Sequence, residues 1–253
     1  MTSSSFTQPP DFIKLLANEV RWGALKALAT SDRQVGELVE LLEQPMNLVS
    51  YHLKKMRDEA LVTTRRSEAD GRDIYYSLDL TRLRERYLEA GQALHPTLGY
   101  ALPGFDPLRL LPQRILFICT HNSARSQMAE GLLRHLSRGR LQVVSAGSQP
   151  TRVHPEAVQT LAHMGIDIST QRSRPFEDFI SQSFDYVITV CDKAREICPT
   201  FPGSGEQLHW GLPDPVATPD DTARDAAFAW TAQRLKSRIE YFLTTLPTGE
   251  SET

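Results

Sequence analysis

The sequence predicts two domains of different fold class, an N-terminal α+β domain of three helices and a β-hairpin, and a C-terminal α/β domain with a central parallel sheet. Helical periodicity followed by a hairpin pattern predicts the first domain. Short β-rich runs that alternate with helical segments predict the second. The domains are expected at residues 1–98 and 114–246, with a Pro/Gly-rich linker over 99–113 and a disordered tail over 247–253.

The N-terminal domain combines helices with one hairpin. Apolar residues from Phe12 to Leu28 recur at helical spacing and stop near Ser31. Asp70-Gly71 suits a tight turn between two β-rich runs. The last helix offers Leu83, Tyr87 and Leu88 as a dimer face. The predicted elements are helices over 12–28, 35–42, 47–60 and 81–94, and strands over 61–64 and 74–78.

The C-terminal domain begins with an apolar strand and ends with a long helix. Its pattern predicts strands over 115–118, 142–144 and 186–190, and helices over 126–136, 155–164 and 222–243. Such alternation is typical of a parallel sheet with helices on both faces.

Composition excludes several classes of protein. The 253 residues are 40% hydrophobic and 23% charged, with a net charge of −3, which allows buried cores and argues neither for nor against nucleic acid. No apolar run approaches the ~18 residues of a membrane span, and the start resembles no signal peptide. We therefore expect a cytoplasmic protein without membrane contact. Three cysteines suit catalysis or metal binding better than a disulfide framework.

The first cysteine opens a candidate oxyanion loop between a strand and a helix. Arg125 follows Cys119 by six residues. The loop therefore combines a nucleophilic thiol, a helix N-terminus and a bidentate guanidinium. We expect Cys119 to be largely a thiolate. The alternative is a buried strand cysteine beside a surface arginine. The predicted oxyanion-binding residues are Thr120, His121, Asn122, Ser123, Ala124, Arg125 and Ser126.

A carboxylate for acid catalysis is expected at Asp214. Pro213 and Pro215 flank it and restrict its backbone, so the side chain can be aimed at a pocket. An ordinary Asp-Pro turn is the alternative.

Three segments of this domain resemble one enzyme family. Residues 119–131, 190–199 and 209–215 are similar, in order and spacing, to the thioredoxin-coupled arsenate reductases built on the low-molecular-weight protein tyrosine phosphatase fold. The resemblance implies that Cys119 attacks arsenate, that Asp214 protonates the leaving hydroxide, and that Cys191 and then Cys198 carry the disulfide outward to thioredoxin. It implies no bound cofactor.

Spacing adds a conformational prediction to this relay. On one intact helix, the seven residues from Cys191 to Cys198 would span roughly 10 Å, beyond the ~4.4–6.8 Å Cα separation of a disulfide. We therefore predict that residues 191–198 unwind on oxidation. Two unrelated buried thiols are the alternative.

The resemblance also bears on metals. Some relatives bind a monovalent cation through residues that match Asn122, Glu130 and Ser145. Arg172 and Arg174, however, fall where hydroxyl and carboxylate ligands are expected, so we expect no metal and consider that their guanidinium groups replace it.

The N-terminal half resembles the ArsR/SmtB-type winged helix-turn-helix repressors over residues 10–95. The resemblance implies operator DNA as a partner and a homodimer formed through this domain. Its 13 basic against 14 acidic residues over 1–98 allow only a local basic surface. A domain used only for dimerisation is the alternative. The implied DNA contacts are Asn47, Ser50, Tyr51 and Lys54 in the recognition helix and Arg65, Arg66 and Arg72 in the wing.

Two other functions remain open at this stage. A low-molecular-weight tyrosine phosphatase would share the loop, Arg125 and Asp214 but would not need Cys191 and Cys198. A non-catalytic transcription factor could use the second domain only to sense oxyanions. Because the N-terminal domain contains no cysteine, one hypothesis is that oxyanion occupancy or redox state biases DNA binding through the linker.

Overall fold

The computed structural model describes residues 8–95, 98, 105–201, 203 and 205–249. The chain divides into two compact units. The first extends to Arg66 and resumes from Arg72 to Gly104, and the second comprises Ser67–Gly71 and the chain from Phe105 onward. The short segment Ser67–Gly71 therefore belongs, by its contacts, to the second unit.

The first unit is a winged helix-turn-helix, as predicted. Its sheet is antiparallel with strand order β1-β3-β2, and its apolar core includes Leu25, Leu38 and Leu53. The elements are α1 Asp11–Leu16, α2 Glu19–Thr30, β1 Arg33–Gln34, α3 Val35–Leu42, α4 Met46–Asp58, β2 Val62–Arg66, β3 Ile74–Leu78 and α5 Leu80–Leu94.

The first predicted helix is two helices in the structure. The chain leaves helical conformation at Ala17, and Asn18 caps α2 by accepting a hydrogen bond from the Arg21 N–H. Apolar periodicity runs across this break, so the pattern predicted one helix, whereas the N-cap preference of asparagine marks the restart. The two-residue strand β1 is too short to have a periodicity of its own.

The second unit is an α/β fold with a four-stranded parallel sheet in the order β5-β4-β6-β7. The central strand β4 is fully apolar at Ile115-Leu116-Phe117-Ile118, as expected for a parallel strand covered on both faces. The elements are β4 Arg114–Cys119, α6 Arg125–Leu136, β5 Gln142–Gly147, α7 Pro155–His163, β6 Tyr186–Thr189, α8 Asp192–Ile197, β7 Glu206–His209 and α9 Asp221–Thr245.

Part of the expected disordered tail is ordered. Thr248 bridges Leu110, and the Leu111 N–H and Gly249 N–H bond the carbonyls of Pro247 and Arg109. Leu110 is fully buried, so pairing of the two segments covers an apolar residue that the linker pattern did not show. Residues 250–253 lie outside the described residues. Within the described ranges, no helix is long and apolar enough to cross a bilayer.

Candidate active site

Strand β4 delivers Cys119 to the carboxyl edge of the sheet, where ligands of open α/β folds bind. The side chain is buried, and its Sγ lies 2.9 Å from Ser126 Oγ. The backbone N–H of Asn122 donates to the same sulfur at 3.2 Å. A hydroxyl and a backbone N–H therefore contact the sulfur of the candidate nucleophile.

The carbonyl groups of the loop after Cys119 are bonded on its outer side. Ser173 Oγ donates to the carbonyls of His121 and Asn122. Neighbouring backbone N–H groups also donate to the loop carbonyls: Gln149 N–H to Thr120 O, Thr151 N–H to His121 O and His154 N–H to Ser123 O. Because N–H and C=O point in opposite directions from a peptide unit, this leaves the N–H groups facing the concave side, as in anion-binding nests.

Asn122 braces the loop from inside. Its φ is +45°, a left-handed conformation that asparagine tolerates better than most residues. Its side-chain nitrogen donates to Ser126 Oγ and Ser145 Oγ at 2.9 and 2.8 Å. The buried amide thus fixes both the loop conformation and the hydroxyl next to Cys119.

Gly147 allows the loop to approach β5. It pairs with Cys119 in the sheet register. A Cβ at this position would lie 2.7 Å from Thr120 O and 2.8 Å from Asn122 N, closer than atoms can pack. Glycine is therefore required where the loop backbone crosses the strand.

Arg125 is the first residue of α6, and its side chain is only 5% exposed. It donates to Leu212 O at 2.8 Å, and its Nη2 lies 3.3 Å from Asp214 Oδ2. Burial by itself lowers the pKa of Arg125. The net shift of its pKa is nevertheless upward, because the combined electrostatic effect of four nearby groups is larger: Cys191, Asp214, Cys119 and Glu68. The guanidinium is thus a permanent cation at the loop.

Asp214 lies at the same guanidinium. Its backbone precedes a single 3-10 turn over Pro215–Ala217, and its Oδ1 accepts a hydrogen bond from the Val216 N–H. The side chain is 26% exposed, so it can exchange protons with solvent. The flanking prolines and this cap together aim the carboxylate at Arg125.

Cys191 also lies at the loop. Its Sγ is 3.4 Å from Thr120 Oγ1, and it accepts the Ala194 N–H as the N-cap of α8. Burial raises the pKa of Cys191, with Arg125 acting in the opposite direction. Cys191 is therefore a neutral thiol at neutral pH.

Cys198 lies at the other end of α8, half-buried. Burial raises its pKa to about 11, so it too is a neutral thiol at physiological pH. The helix Asp192–Ile197 stands intact between the two cysteines.

Four charged or polar groups of the site were not found from the sequence. Glu68 lies at Arg125 with Oε2 3.0 Å from Nη1, although 57 positions separate them in the chain. Asp192 and His209 form a buried pair at 2.9 Å, and Thr189 Oγ1 lies 2.9 Å from the other ring nitrogen. Glu68 was part of a predicted turn and carried no motif. Asp192 and His209 lie in the segments 190–199 and 209–215 that carry the family resemblance, which could have indicated their roles.

The oxygens matched to a cation site are used within the protein. Asn122 Oδ1 accepts from Gln127 Nε2 and from the Arg174 N–H, and Ser145 Oγ donates to Glu130. Glu130 also pairs with Arg134. This donor set does not fit a monovalent cation. The idea that the guanidinium of Arg174 replaces the ion is corrected, because that group stacks over the Phe179 ring.

A cavity of about 400 Å³ opens in front of the loop. It is large enough for a tetrahedral oxyanion, and its polar lining suits a charged ligand. The lining residues include Thr120, His121, Arg125, Asp214, Glu68 and, from α8, Lys193 and Glu196. Of the remaining loop residues, Ser123 is half-buried and Ala124 is the buried N-cap of α6.

The residues predicted to contact DNA fall into two groups in the first unit. Asn47, Tyr51 and Lys54 are exposed on α4, and Ser50 is half-buried there. In the hairpin, Arg66 and Arg72 are exposed. Arg65 instead lies 3.5 Å from the fully buried Asp32 and stacks over the Tyr75 ring, so we assign it a packing role.

Comparisons with known proteins divide the chain in the same way. The profile described as "Low molecular weight phosphotyrosine protein phosphatase" matches residues 114–251, and "Bacterial regulatory protein, arsR family" matches 18–64. An arsenate reductase of Halalkalibacterium halodurans is 39% identical over 132 residues, 52% of this chain and 95% of that protein. A glutaredoxin arsenate reductase of Synechocystis sp. is 35% identical over 128 residues, 51% of this chain and 94% of that protein.

Solved structures are similar over the same half. "An arsenate reductase in the phosphate binding state" is 33% identical with a TM-score of 0.48, covering 53% of this chain and 99% of that one. A low molecular weight protein tyrosine phosphatase from T. tengcongensis is 26% identical with a TM-score of 0.44, covering 53% and 99%.

Proposed function

This chain belongs to the low molecular weight phosphotyrosine protein phosphatase family through residues 114–251, and from that premise we propose that it reduces arsenate to arsenite by a three-cysteine relay, in one chain with a DNA-binding regulator. The observation that carries the proposal is the second thiol in the oxyanion site. Cys191 Sγ lies 3.4 Å from Thr120 of the loop. Phosphate-ester hydrolysis needs only one thiol, whereas a two-electron reduction needs a second one within reach.

The reaction begins with attack of the Cys119 thiolate on arsenic. The loop N–H groups and Arg125 hold the oxygens, and the As–O bond breaks as Asp214 gives its proton to the leaving hydroxide, which departs as water. The product is a covalent Cys119–arsenic adduct that still contains As(V).

Reduction follows at sulfur. The Cys191 thiol attacks Cys119 Sγ as its proton passes to an oxygen of the departing arsenic group, and the pair of electrons in the S–As bond moves to arsenic, which leaves as arsenite. Cys198 then attacks Cys191, which releases the Cys119 thiolate and leaves a Cys191–Cys198 disulfide. Because α8 separates the last two cysteines, we propose that Asp192–Ile197 unwinds in this step.

We propose thioredoxin as the electron donor and the cytoplasm as the compartment, because the disulfide must be reduced in every cycle. A relative named glutaredoxin arsenate reductase makes glutathione with glutaredoxin the second donor to test. The assay is arsenate-dependent NADPH oxidation, coupled in one arm to thioredoxin and its reductase and in the other to glutathione, glutaredoxin and glutathione reductase.

Three matched cysteine variants separate the candidate functions. Cys198→Ser should release one equivalent of arsenite and then stop, whereas Cys119→Ser should release none. If Cys191→Ser and Cys198→Ser turn over like the wild type, the relay is refuted. Hydrolysis of p-nitrophenyl phosphate without any arsenate reduction would select the phosphatase, and a chain that binds oxyanion without either activity would be a sensor only.

For the first unit we propose operator binding by a homodimer. Asn47, Tyr51 and Lys54 are exposed along α4, the helix that the resemblance places in the major groove. Fluorescence anisotropy with a duplex from the chain's own promoter tests this: Lys54→Ala should weaken binding and reduce the salt slope by about 1. The exposed Lys26 of α2 provides the matched control, Lys26→Ala. Equal effects of both variants would contradict the proposed orientation.

A further inference from the structure

A carboxylate occupies part of the oxyanion site. Glu68 Oε2 lies 3.0 Å from Arg125 Nη1, and Glu68 Oε1 accepts the backbone N–H of Asp214 at 2.8 Å. A guanidinium N–H and a backbone N–H are the donors that hold the oxygens of a phosphate-like anion. Glu68 therefore makes the interactions that a bound oxyanion would make at the same two residues.

The segment that carries Glu68 is itself held in place. Ser67 is buried, and its Oγ accepts the N–H groups of Ala69 and Asp70. The N–H of Glu68 donates to Asp192 Oδ2 at 2.9 Å. Asp192 is buried and directly follows Cys191 in the chain. The Glu68 carboxylate is thus positioned by a turn whose backbone is fixed by hydrogen bonds.

The charges around Arg125 show why both anions cannot be bound together. Glu68 and Asp214 pair with the guanidinium, and the two thiols Cys119 and Cys191 also act on it. A phosphate-like dianion would add roughly −1.5 to −2 charges. Arg125 and the Lys193 that lines the same cavity together cannot offset that total, because like charges at short range repel strongly in a partly buried cavity. Asp214 stays as the acid, so Glu68 is the group that must leave.

We propose that Glu68 is a built-in competitor of the oxyanion, which holds Arg125 in the empty site and is displaced when the substrate binds. The inference deepens the proposed function, and it rests on the oxyanion site, not on the reduction chemistry. Only molecules in which Glu68 has left Arg125 can bind the oxyanion. The apparent affinity for the oxyanion is therefore reduced in proportion to the fraction of such molecules. Ser67–Gly71 also joins β2 to β3 in the chain, so occupancy of the site and the conformation of this turn are linked.

Phosphate protection of Cys119 against iodoacetamide tests the proposal. Inorganic phosphate mimics the oxyanion without being reduced, and its Kd is read from the slowed alkylation of Cys119. For Glu68→Gln and Glu68→Ala we expect phosphate to bind about 10- to 100-fold tighter, the range for losing a competing charged hydrogen bond. Glu196→Gln removes the same charge from the lining of the same cavity and should change Kd less than about threefold.

A second measurement follows the segment itself. Saturating phosphate should speed tryptic cleavage after the exposed Arg66 and Arg72 in the wild type and have little effect in Glu68→Gln. Circular dichroism of each variant serves as the control for folding.

Unchanged or weaker phosphate binding by both Glu68 variants would overturn the proposal, since the carboxylate would then support the site. Equal gains in Glu68→Gln and Glu196→Gln would also overturn it, because they would reflect general charge. If the wild type and the Glu68 variants all fail to bind phosphate, the inference fails. If phosphate binding tightens but arsenate is not reduced, the inference stands and only the proposed reductase activity fails.

Discussion

Replacement of Gly147 by alanine should disable the oxyanion loop without removing any chemical group. The new Cβ would lie 2.7 Å from Thr120 O, 2.8 Å from Asn122 N and 2.9 Å from Asn122 Cβ. All three belong to the loop that follows Cys119. Two are backbone atoms, so no flexible side chain can yield and the loop itself must move.

The size of the effect follows from those distances. Ordinary contact requires about 3.4 Å or more, so the loop must shift by roughly 0.5–1 Å. Overpacking of this kind typically costs about 1–3 kcal/mol. A misplacement near 1 Å at reacting groups can lower kcat/KM by about 10²-fold. We expect the catalytic loss to exceed the loss of stability, because the displaced N–H groups are those that face the anion.

The assay pairs activity with unfolding. Arsenate-dependent NADPH oxidation gives kcat/KM, and urea unfolding followed by circular dichroism gives the change in stability. Gly36→Ala in α3 is the matched control, because nothing lies within 4 Å of the added Cβ. That variant should keep full activity and gain about 0.5–1 kcal/mol. Wild-type kcat/KM and wild-type stability in Gly147→Ala would refute the reasoning about loop packing.

Three further outcomes are expected. Alkylation of Cys198 in the reduced chain, mapped by mass spectrometry, should rise about tenfold per pH unit until near pH 11, because burial raises its pKa to about 11; a plateau near pH 9 would contradict this. Asn122→Ala should be less stable in urea than Asn122→Gly by about 1–2 kcal/mol, since only alanine is strained at a φ of +45°; equal midpoints would exclude that strain. Asp192→Ala should destabilise by about 1–3 kcal/mol because it removes a buried hydrogen bond to the His209 ring, whereas Asp221→Ala at a 92% exposed position should cost less than about 1 kcal/mol; similar losses would argue against a buried pair.

The contribution of the two buried thiols to the stability of the fold depends on pH. A folded pKa above the unfolded value means that the contribution of Cys198 is fully present below about pH 9 and is lost as the pH rises towards 11. The raised pKa of Cys191 acts in the same direction. The reduced fold is therefore stabilised by neutral thiols throughout the physiological range.

Local sequence patterns were sufficient to predict the helices and strands that are long enough to show a side-chain periodicity. The apolar run Ile115–Ile118 predicted a buried parallel strand, and β-rich runs around Asp70-Gly71 predicted the hairpin, because backbone geometry imposes periods of 2 and 3.6 on side chains. The short elements β1, β7 and α8 were missed, since two to six residues contain too little of a period to be distinguished from a loop.

The amino-acid sequence by itself determined the two fold classes and the strand-to-helix turn that carries Cys119 and Arg125, and it indicated the candidate nucleophile, resolving thiols and acid. These features depend on residues that are adjacent in the chain or that match a spaced motif. Only the tertiary structure decided which distant groups share the site. Glu68 reaches Arg125 across 57 positions and the Asp214 N–H across 146. Such contacts are stabilised by burial and charge pairing between distant segments, which leave no local pattern in the chain.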